Sequence, residues 1–403
     1  MILSIVPSYA EAFGRTKADL AAVYFLGQKT FRREDILFNL NLIALVASGL
    51  ILGLIFWQFE PIYNCLFRSQ MDNYKPELLV LMIQIPINSL YLNYSYFHIA
   101  EENVKVYNRM VVINSLANSF MVIGLLILTS IELWSVILGT LIGISLGLLY
   151  GWLSIDRKDW VAGLPSKKIS FALLRYGIHF YLGGVLGQLQ KTGTNLLAVA
   201  FLLPAQLAFL SQAQGVGRLL DNMVNPINTL LFPRISNSEQ DAAIEVSCTA
   251  FRISSILMVF GGLALAIIAE LLIVLLYGPA FQPSASLIRY LLPGIVITGA
   301  CGTLGSYFNG IGRANIIPKI KVLPVILQLV LTWYFLQWWG LAGAATAISI
   351  GMSLYGVILL LVFKSVTGVS YNLLIPSLAD VLYLKVFVVE LISQTLKLKT
   401  SVK

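Results

Sequence analysis

Four ionisable side chains stand deep inside apolar stretches of this sequence: Lys191, Arg218, Asp221 and Arg289. Charge at such depth is expensive, so each is a candidate for function by default. Arg218 and Asp221 are three residues apart, so on a helix they share a face and can pair. Lys191 has no acidic residue within helical reach. Three cations against one carboxylate could line a wet cavity that receives an acidic or phosphate-bearing ligand. Polar residues crowd the same region. Gln188, Gln190, Thr192, Thr194 and Asn195 surround Lys191, and Gln212, Gln214, Asn222, Asn225 and Asn228 fill the stretch that follows. Lipid-facing helices do not carry such a density, so these two stretches are expected to line a lumen. The competing account makes Arg218–Asp221 a structural ion pair and lets Arg289 snorkel to the outer interface. His179 is read as a hydrogen-bonded residue near the cytoplasmic end of its helix.

Covalent chemistry has no comparable support. The sequence holds no nucleotide-binding glycine loop and no paired carboxylates in a loop. Cys65, Cys248 and Cys301 are far apart and odd in number, which indicates neither a metal site nor a disulfide framework. No cofactor is implied, and no metal. Gly143, Gly147 and Gly151 form a small-xxx-small series, the signature of close helix packing.

The elements that must position the charged residues follow from composition. Of 403 residues, 58% are hydrophobic and only 11% are charged, with a mean hydropathy of +0.83. A soluble fold of this length cannot hide so much apolar surface, and a disordered chain would not carry it. The chain is therefore expected to be all-α and polytopic, with lipid in place of water around it. The net charge of +8 does not indicate nucleic acid, because the basic residues sit in short loops between apolar runs. Ten runs are long enough to span: Phe38–Phe59, Glu77–Ile99, Arg109–Ile131, Leu133–Ile155, Ala172–Leu203, Ala208–Phe232, Cys248–Tyr277, Ala285–Ile311, Pro318–Trp338 and Leu341–Phe363. Lys and Arg are concentrated in alternate loops, which places the N-terminal segment and the C-terminal tail in the cytoplasm. Glu60 and Glu270 then fall near outer helix ends, and Trp333, Trp338 and Trp339 form an interfacial belt. The stretch 372–392 reads as a peripheral amphipathic helix, with a full span as the alternative.

Weak internal matches suggest two homologous halves. Ser95-Tyr96-Phe97 recurs as Ser306-Tyr307-Phe308, and Thr140-Leu141-Ile142 resembles Thr346-Ala347-Ile348, in the same order and orientation. Val6-Pro7 likewise resembles Phe232-Pro233. The expected organisation is an N-terminal bundle over 1–160, a C-terminal bundle over 161–366 and a tail over 367–403. By this alignment the first half lacks one whole helix and most of a second at its front, as a start codon placed too late would produce, with a true truncation as the alternative.

Four motifs in order carry a family resemblance. They are Leu231-Phe232-Pro233-Arg234-Ile235-Ser236, Leu275-Leu276-Tyr277-Gly278-Pro279-Ala280-Phe281, Tyr307-Phe308-Asn309-Gly310-Ile311-Gly312-Arg313 and Gly340-Leu341-Ala342-Gly343-Ala344-Ala345-Thr346-Ala347. The sequence resembles the polysaccharide-biosynthesis (Wzx-like) flippases of the MOP superfamily, which also includes the MATE drug exporters. The resemblance implies two six-helix bundles around a V-shaped central cavity. It implies alternating access, and movement of an undecaprenyl-diphosphate-linked oligosaccharide between leaflets of the inner membrane. The implied partners are that lipid-linked oligosaccharide, membrane lipids, a polysaccharide polymerase and a chain-length regulator, with the transporter itself a monomer. Where many relatives carry an aspartate on the seventh helix, this chain has Lys191, which favours an anion-binding role.

Two other functions compete. A cation-coupled exporter of cationic drugs should carry an acidic lumen. A membrane-embedded polymerase or ligase should carry a large external loop, whereas the external loops here are about 5–17 residues between spans whose ends are uncertain by a few residues.

Overall fold

The computed structural model describes residues 15–61, 63, 75–128, 132–155, 163–377 and 380. Regular structure among these residues is entirely helical. The helices are α1 (Ala18–Gly27), α2 (Arg33–Trp57), α3 (Lys75–Ala100, with a break at Ile83), α4 (Val104–Leu128) and α5 (Glu132–Leu153). They continue as α6 (Lys167–Phe201), α7 (Pro204–Ser236), α8 (Gln240–Tyr277), α9 (Pro283–Gly310) and α10 (Ile316–Thr367). The helix ends follow local rules. Glu34 and Asp35 sit in the first turn of α2, where the backbone dipole favours negative charge. Gly278, at φ 89°, ends α8, and Pro279 follows it. Residues 1–14 and 381–403 lie outside the described residues, and with them Val6-Pro7 and most of the amphipathic stretch expected over 372–392.

Eight of the helices are long and apolar enough to cross a membrane, against the ten spans expected. The two differences have physical causes. The expected span Ala208–Phe232 lies within α7, whose glutamines, asparagines and charges lower its hydropathy. The expected spans Pro318–Trp338 and Leu341–Phe363 both lie in α10, which leaves the helical conformation and reverses at Gly340 (φ 55°, ψ −129°). That conformation is open to glycine and costly for other residues. Lys321 lies 5.5 Å from the ring of Tyr355, whereas 34 residues of straight helix would separate them by about 50 Å. The limbs 316–339 and 341–367 are therefore two antiparallel helices.

The chain forms two compact units, residues 1–185 and 186–403, with the boundary inside α6. In unit 1 the glycine face of α5 packs on α4. A Cβ on Gly143 would stand 2.7 Å from the Asn114 carbonyl, and one on Gly147 would stand 3.1 Å from that of Met110. The small-xxx-small series thus marks a close helix contact, as expected. Asn39, fully buried on α2, donates to the Leu164 carbonyl at 2.9 Å and accepts from the Ser166 N–H at 2.8 Å. These bonds anchor the chain at the start of α6.

The core of unit 2 is formed by α7, α8, α9 and α10 around buried Tyr307, Phe308 and Phe363. Beyond α10, Val369 and Leu374 insert into that core. Arg252 of α8 holds the segment by donating to the Leu373 carbonyl at 2.8 Å and to Asp380 at 2.9 Å. Partial burial pushes the Asp380 carboxyl upward, but hydrogen bonds from Ser377 and the Arg252 guanidinium outweigh it and hold it below the ordinary carboxylate value. A depressed folded-state pKa adds stability that is present above the unfolded value, about 3.9, and is lost as pH falls through the folded value. Docking of this segment is therefore expected to be constant from neutrality to about pH 5 and to weaken below about pH 4. Asp380→Asn should loosen it at neutral pH and remove most of its pH dependence. Limited proteolysis across that range reads both, and equal cleavage of the two proteins at pH 7 would contradict the clasp.

Candidate functional site

The polar sequence of α6 and α7 directs the site. On α6, Gly187, Gln190, Lys191 and Thr194 recur at helical spacing and form one stripe. The facing stripe is on limb 316–339, where Lys321 and Gln328 are seven residues apart and share a face. The two stripes are bonded together. The Gln190 amide donates to the Gln328 side-chain oxygen at 2.6 Å, and the Gln328 amide donates to the Thr194 hydroxyl at 2.9 Å. Gln328 also donates to the Gln190 backbone carbonyl at 3.2 Å. Thr194 closes the set by donating to that same carbonyl at 2.9 Å. Thr194 and Gln328 are 0% and 1% exposed, so the network is desolvated and its geometry is fixed by the need to satisfy every amide group.

The lysines lie beside this network. Lys321 reaches the backbone of α6, where a Cβ on Gly187 would stand 2.9 Å from its Nζ. Glycine at 187 therefore makes the approach of that ammonium possible. Lys191, one turn beyond Gly187, is exposed and within electrostatic range of Lys321. Across on α7, half-buried Asp221 lies within electrostatic range of both Lys191 and Arg218. No ion pair of 4.0 Å or less joins Arg218 to Asp221 among the described residues. Instead the Arg218 guanidinium leans back over Gly215, near the Tyr277 hydroxyl; a Cβ on Gly215 would stand 3.8 Å and 4.0 Å from them. One carboxylate thus lies within range of one cation on α6 and one on α7, with Lys321 near the former, and the local balance stays positive.

The sequence-derived set divides. Lys191, Arg218 and Asp221 belong to one electrostatic cluster. Gln188 and Gln212 are half-buried, and Asn195, Asn222 and Asn225 are exposed on the same two helices. Arg289 is exposed on α9, where its Nε donates to the Ala266 carbonyl at 3.3 Å, and no described contact joins it to the cluster. Sequence reasoning missed Lys321 and Gln328. Lys321 lies inside the expected span Pro318–Trp338, seven positions before a glutamine. A buried amide at helical spacing from a lysine was the available signal.

One sequence pattern is excluded as chemistry by its placement. Gly143-Ile144-Ser145-Leu146-Gly147 spells the elbow of serine hydrolases, but it lies inside continuous α5 with no strand-to-helix turn to present the serine.

Residues 23–286 match the model of a family described as polysaccharide biosynthesis protein. Among curated proteins, none matches this chain in sequence. In solved structures the fold recurs in an outward-facing multidrug-resistance MATE family transporter of the MOP superfamily, with TM-score 0.77 and 15% identity over 91% of this chain and 86% of that one. It recurs in a Vibrio cholerae MATE transporter, with TM-score 0.76 and 14% identity over 93% and 87%. A third is a MOP superfamily transporter from Pyrococcus furiosus, described as having a binding pocket of reverse polarity, with TM-score 0.69 and 17% identity over 91% and 88%. These neighbours are transporters, not enzymes.

Proposed function

The chain belongs to the polysaccharide biosynthesis protein family, and from that premise we propose that it is a flippase for lipid-linked sugars. It carries undecaprenyl-diphosphate-linked oligosaccharide repeat units from the cytoplasmic to the outer leaflet of the inner membrane, by alternating access, for synthesis of O-antigen, capsule or exopolysaccharide. The observation that supports this reading is the excess of cations within apolar helices: Lys191 and Arg218 in range of the single carboxylate of Asp221, with Lys321 near Lys191. A diphosphate crossing a bilayer must exchange its hydration for something of equal strength, and charge-assisted hydrogen bonds from ammonium and guanidinium groups are the strongest replacement available. The flanking amides and hydroxyls of Gln188, Asn195, Gln212, Asn222 and Asn225 suit sugar hydroxyls, which need many weak partners. The N-terminal segment and the tail are cytoplasmic in this reading, and a polymerase and chain-length regulator receive the product outside.

The likeness to MATE transporters supports a second reading, a cation-coupled multidrug exporter. Charge argues against it, because a cationic drug would meet three like charges and one carboxylate that they already neutralise.

Deletion of the gene in its host tests the two readings. Under the flippase reading, single repeat units accumulate on diphosphate lipid and surface polysaccharide falls, and the restored gene reverses both. Normal lipid and normal polymer with raised sensitivity to cationic drugs would replace it with the exporter.

A further inference from the structure

The cations at the start of α4 differ from those of the turns beside them. There Arg32 pairs with Glu34 at 3.5 Å, and Arg33 with Glu101 at 3.4 Å. Lys105 and Arg109 are one helical turn apart and exposed, and among the described residues no carboxylate lies within 4.0 Å of either. Their Cβ atoms are about 5–6 Å apart, so both can reach one small anion. Side chains on a helix lean toward its N-terminus, which here is the end nearest the membrane surface. The Arg109 guanidinium is fixed from α5, where its Nη1 donates to the Tyr150 hydroxyl at 3.1 Å. That bond leaves most of the fork's N–H groups for an acceptor oxygen.

The same face continues as carbon. Val112, Leu116, Phe120, Ile123 and Ile127 follow Arg109 at spacings of three and four residues, and they are 51–77% exposed. From 112 to 127 is about 22 Å of helix, more than the roughly 15 Å of hydrocarbon in one leaflet. Two cations without a counter-charge, continued by an apolar stripe, match a molecule with an anionic head and an acyl chain. We propose that this face of α4 binds an anionic phospholipid of the phosphatidylglycerol type, with its phosphate between Lys105 and Arg109 and an acyl chain along 112–127. Tyr150 holds the guanidinium in place for that phosphate. A zwitterionic lipid fits less well, because its own ammonium would meet both cations. The site is independent of what the protein transports.

The test uses the full chain in phosphatidylcholine nanodiscs doped with phosphatidylglycerol, with one of the two lipids radiolabelled at a time. A photoreactive benzophenone side chain replaces either Val112, one turn from the cations, or Val46 on α2, a helix with no basic residue after Arg33. The two positions are 53% and 55% exposed, so both tolerate the change. At equal dose, phosphatidylglycerol should label position 112 about fivefold more than phosphatidylcholine does, and the two lipids should label position 46 about equally. Lys105→Gln combined with Arg109→Gln should abolish the preference at 112. Tyr150→Phe, which keeps the ring and both charges, should weaken it by about twofold. Equal labelling of 112 by the two lipids, or a preference that survives the double variant, overturns the proposal. Capture of a second protein chain at 112 overturns it too. So does loss of the label to excess inorganic phosphate at constant ionic strength, which would make this a site for a free anion.

Discussion

Replacing Lys191 and Lys321 together by glutamine is expected to slow movement of the diphosphate-linked lipid by about ten- to a hundredfold, with the amount of protein in the membrane unchanged. Glutamine keeps most of the side-chain length and a donor while removing the charge. The magnitude follows from the difference between a charged and a neutral hydrogen bond to phosphate, about 1–2 kcal/mol for each lysine, where 1.4 kcal/mol is tenfold. The two effects should not simply add, because the ammonium groups repel each other in the empty site and each eases the other's removal. Lys319→Gln is the matched control. It removes one charge from the same limb, two residues from Lys321, at an exposed position that touches none of the network. Its rate should stay within about twofold of the parent. Transport is read as appearance of the labelled headgroup on the outer face of proteoliposomes. A double variant that moves lipid at the parent rate would remove the lysine pair from the mechanism. If Lys319→Gln loses as much as the double variant, the requirement is for general positive charge and not for this site.

Much of the architecture was legible because membrane helices obey few rules. Run length and charge depletion located every long helix, since a segment without water must bond its own backbone. Motif order pointed to the family without any structure. α7, expected from the sequence over Ala208–Phe232, is the long helix that falls short of a span's hydropathy, and the residues that lower it are those that give the site its character. The turn at Gly340 was visible as a boundary between two apolar runs, but its positive φ belongs to the backbone and leaves no periodic trace. The candidate site was legible by depth and not by partnership. Lys191, Arg218 and Asp221 stand out as charges inside apolar runs. That Lys321 joins Lys191 depends on how α6 and limb 316–339 pack, and packing between elements 130 residues apart is a property of the fold. The same limit applied to Arg218 and Asp221, where helical spacing permitted an ion pair and the side chains diverged instead.

The largest effect on stability is expected from Gly294→Leu. Here α9 and limb 341–367 meet almost backbone to backbone. The Gly294 N–H donates to the Ser349 hydroxyl at 2.9 Å, and four residues on, Thr298 donates to the Met352 carbonyl at 2.7 Å. A Cβ on Gly294 would stand 2.6 Å from the Ser349 carbonyl oxygen and 2.7 Å from its Cα. Those are main-chain atoms, so no rotamer change relieves the clash, and the helices must separate. Overpacking a core costs about 1–3 kcal/mol where side chains can yield; with backbone on the far side the cost should reach or exceed the top of that range. Two companions isolate the cause. Ser349→Ala leaves the close approach intact and removes one hydrogen bond, a loss of about 1 kcal/mol. On α9 itself, Gly302 has as its nearest neighbour the Asn228 side-chain nitrogen at 3.5 Å from a built Cβ, an ordinary contact. Gly302→Ala should therefore be neutral, or gain up to about 1 kcal/mol from helix propensity. Thermal or detergent unfolding of the purified protein orders the three variants. If Gly294→Leu unfolds no earlier than Ser349→Ala, the spacing of these helices is not set at Gly294. If it unfolds much earlier, transport should fall with stability, because limb 341–367 also carries Tyr355, the ring against which Lys321 is placed.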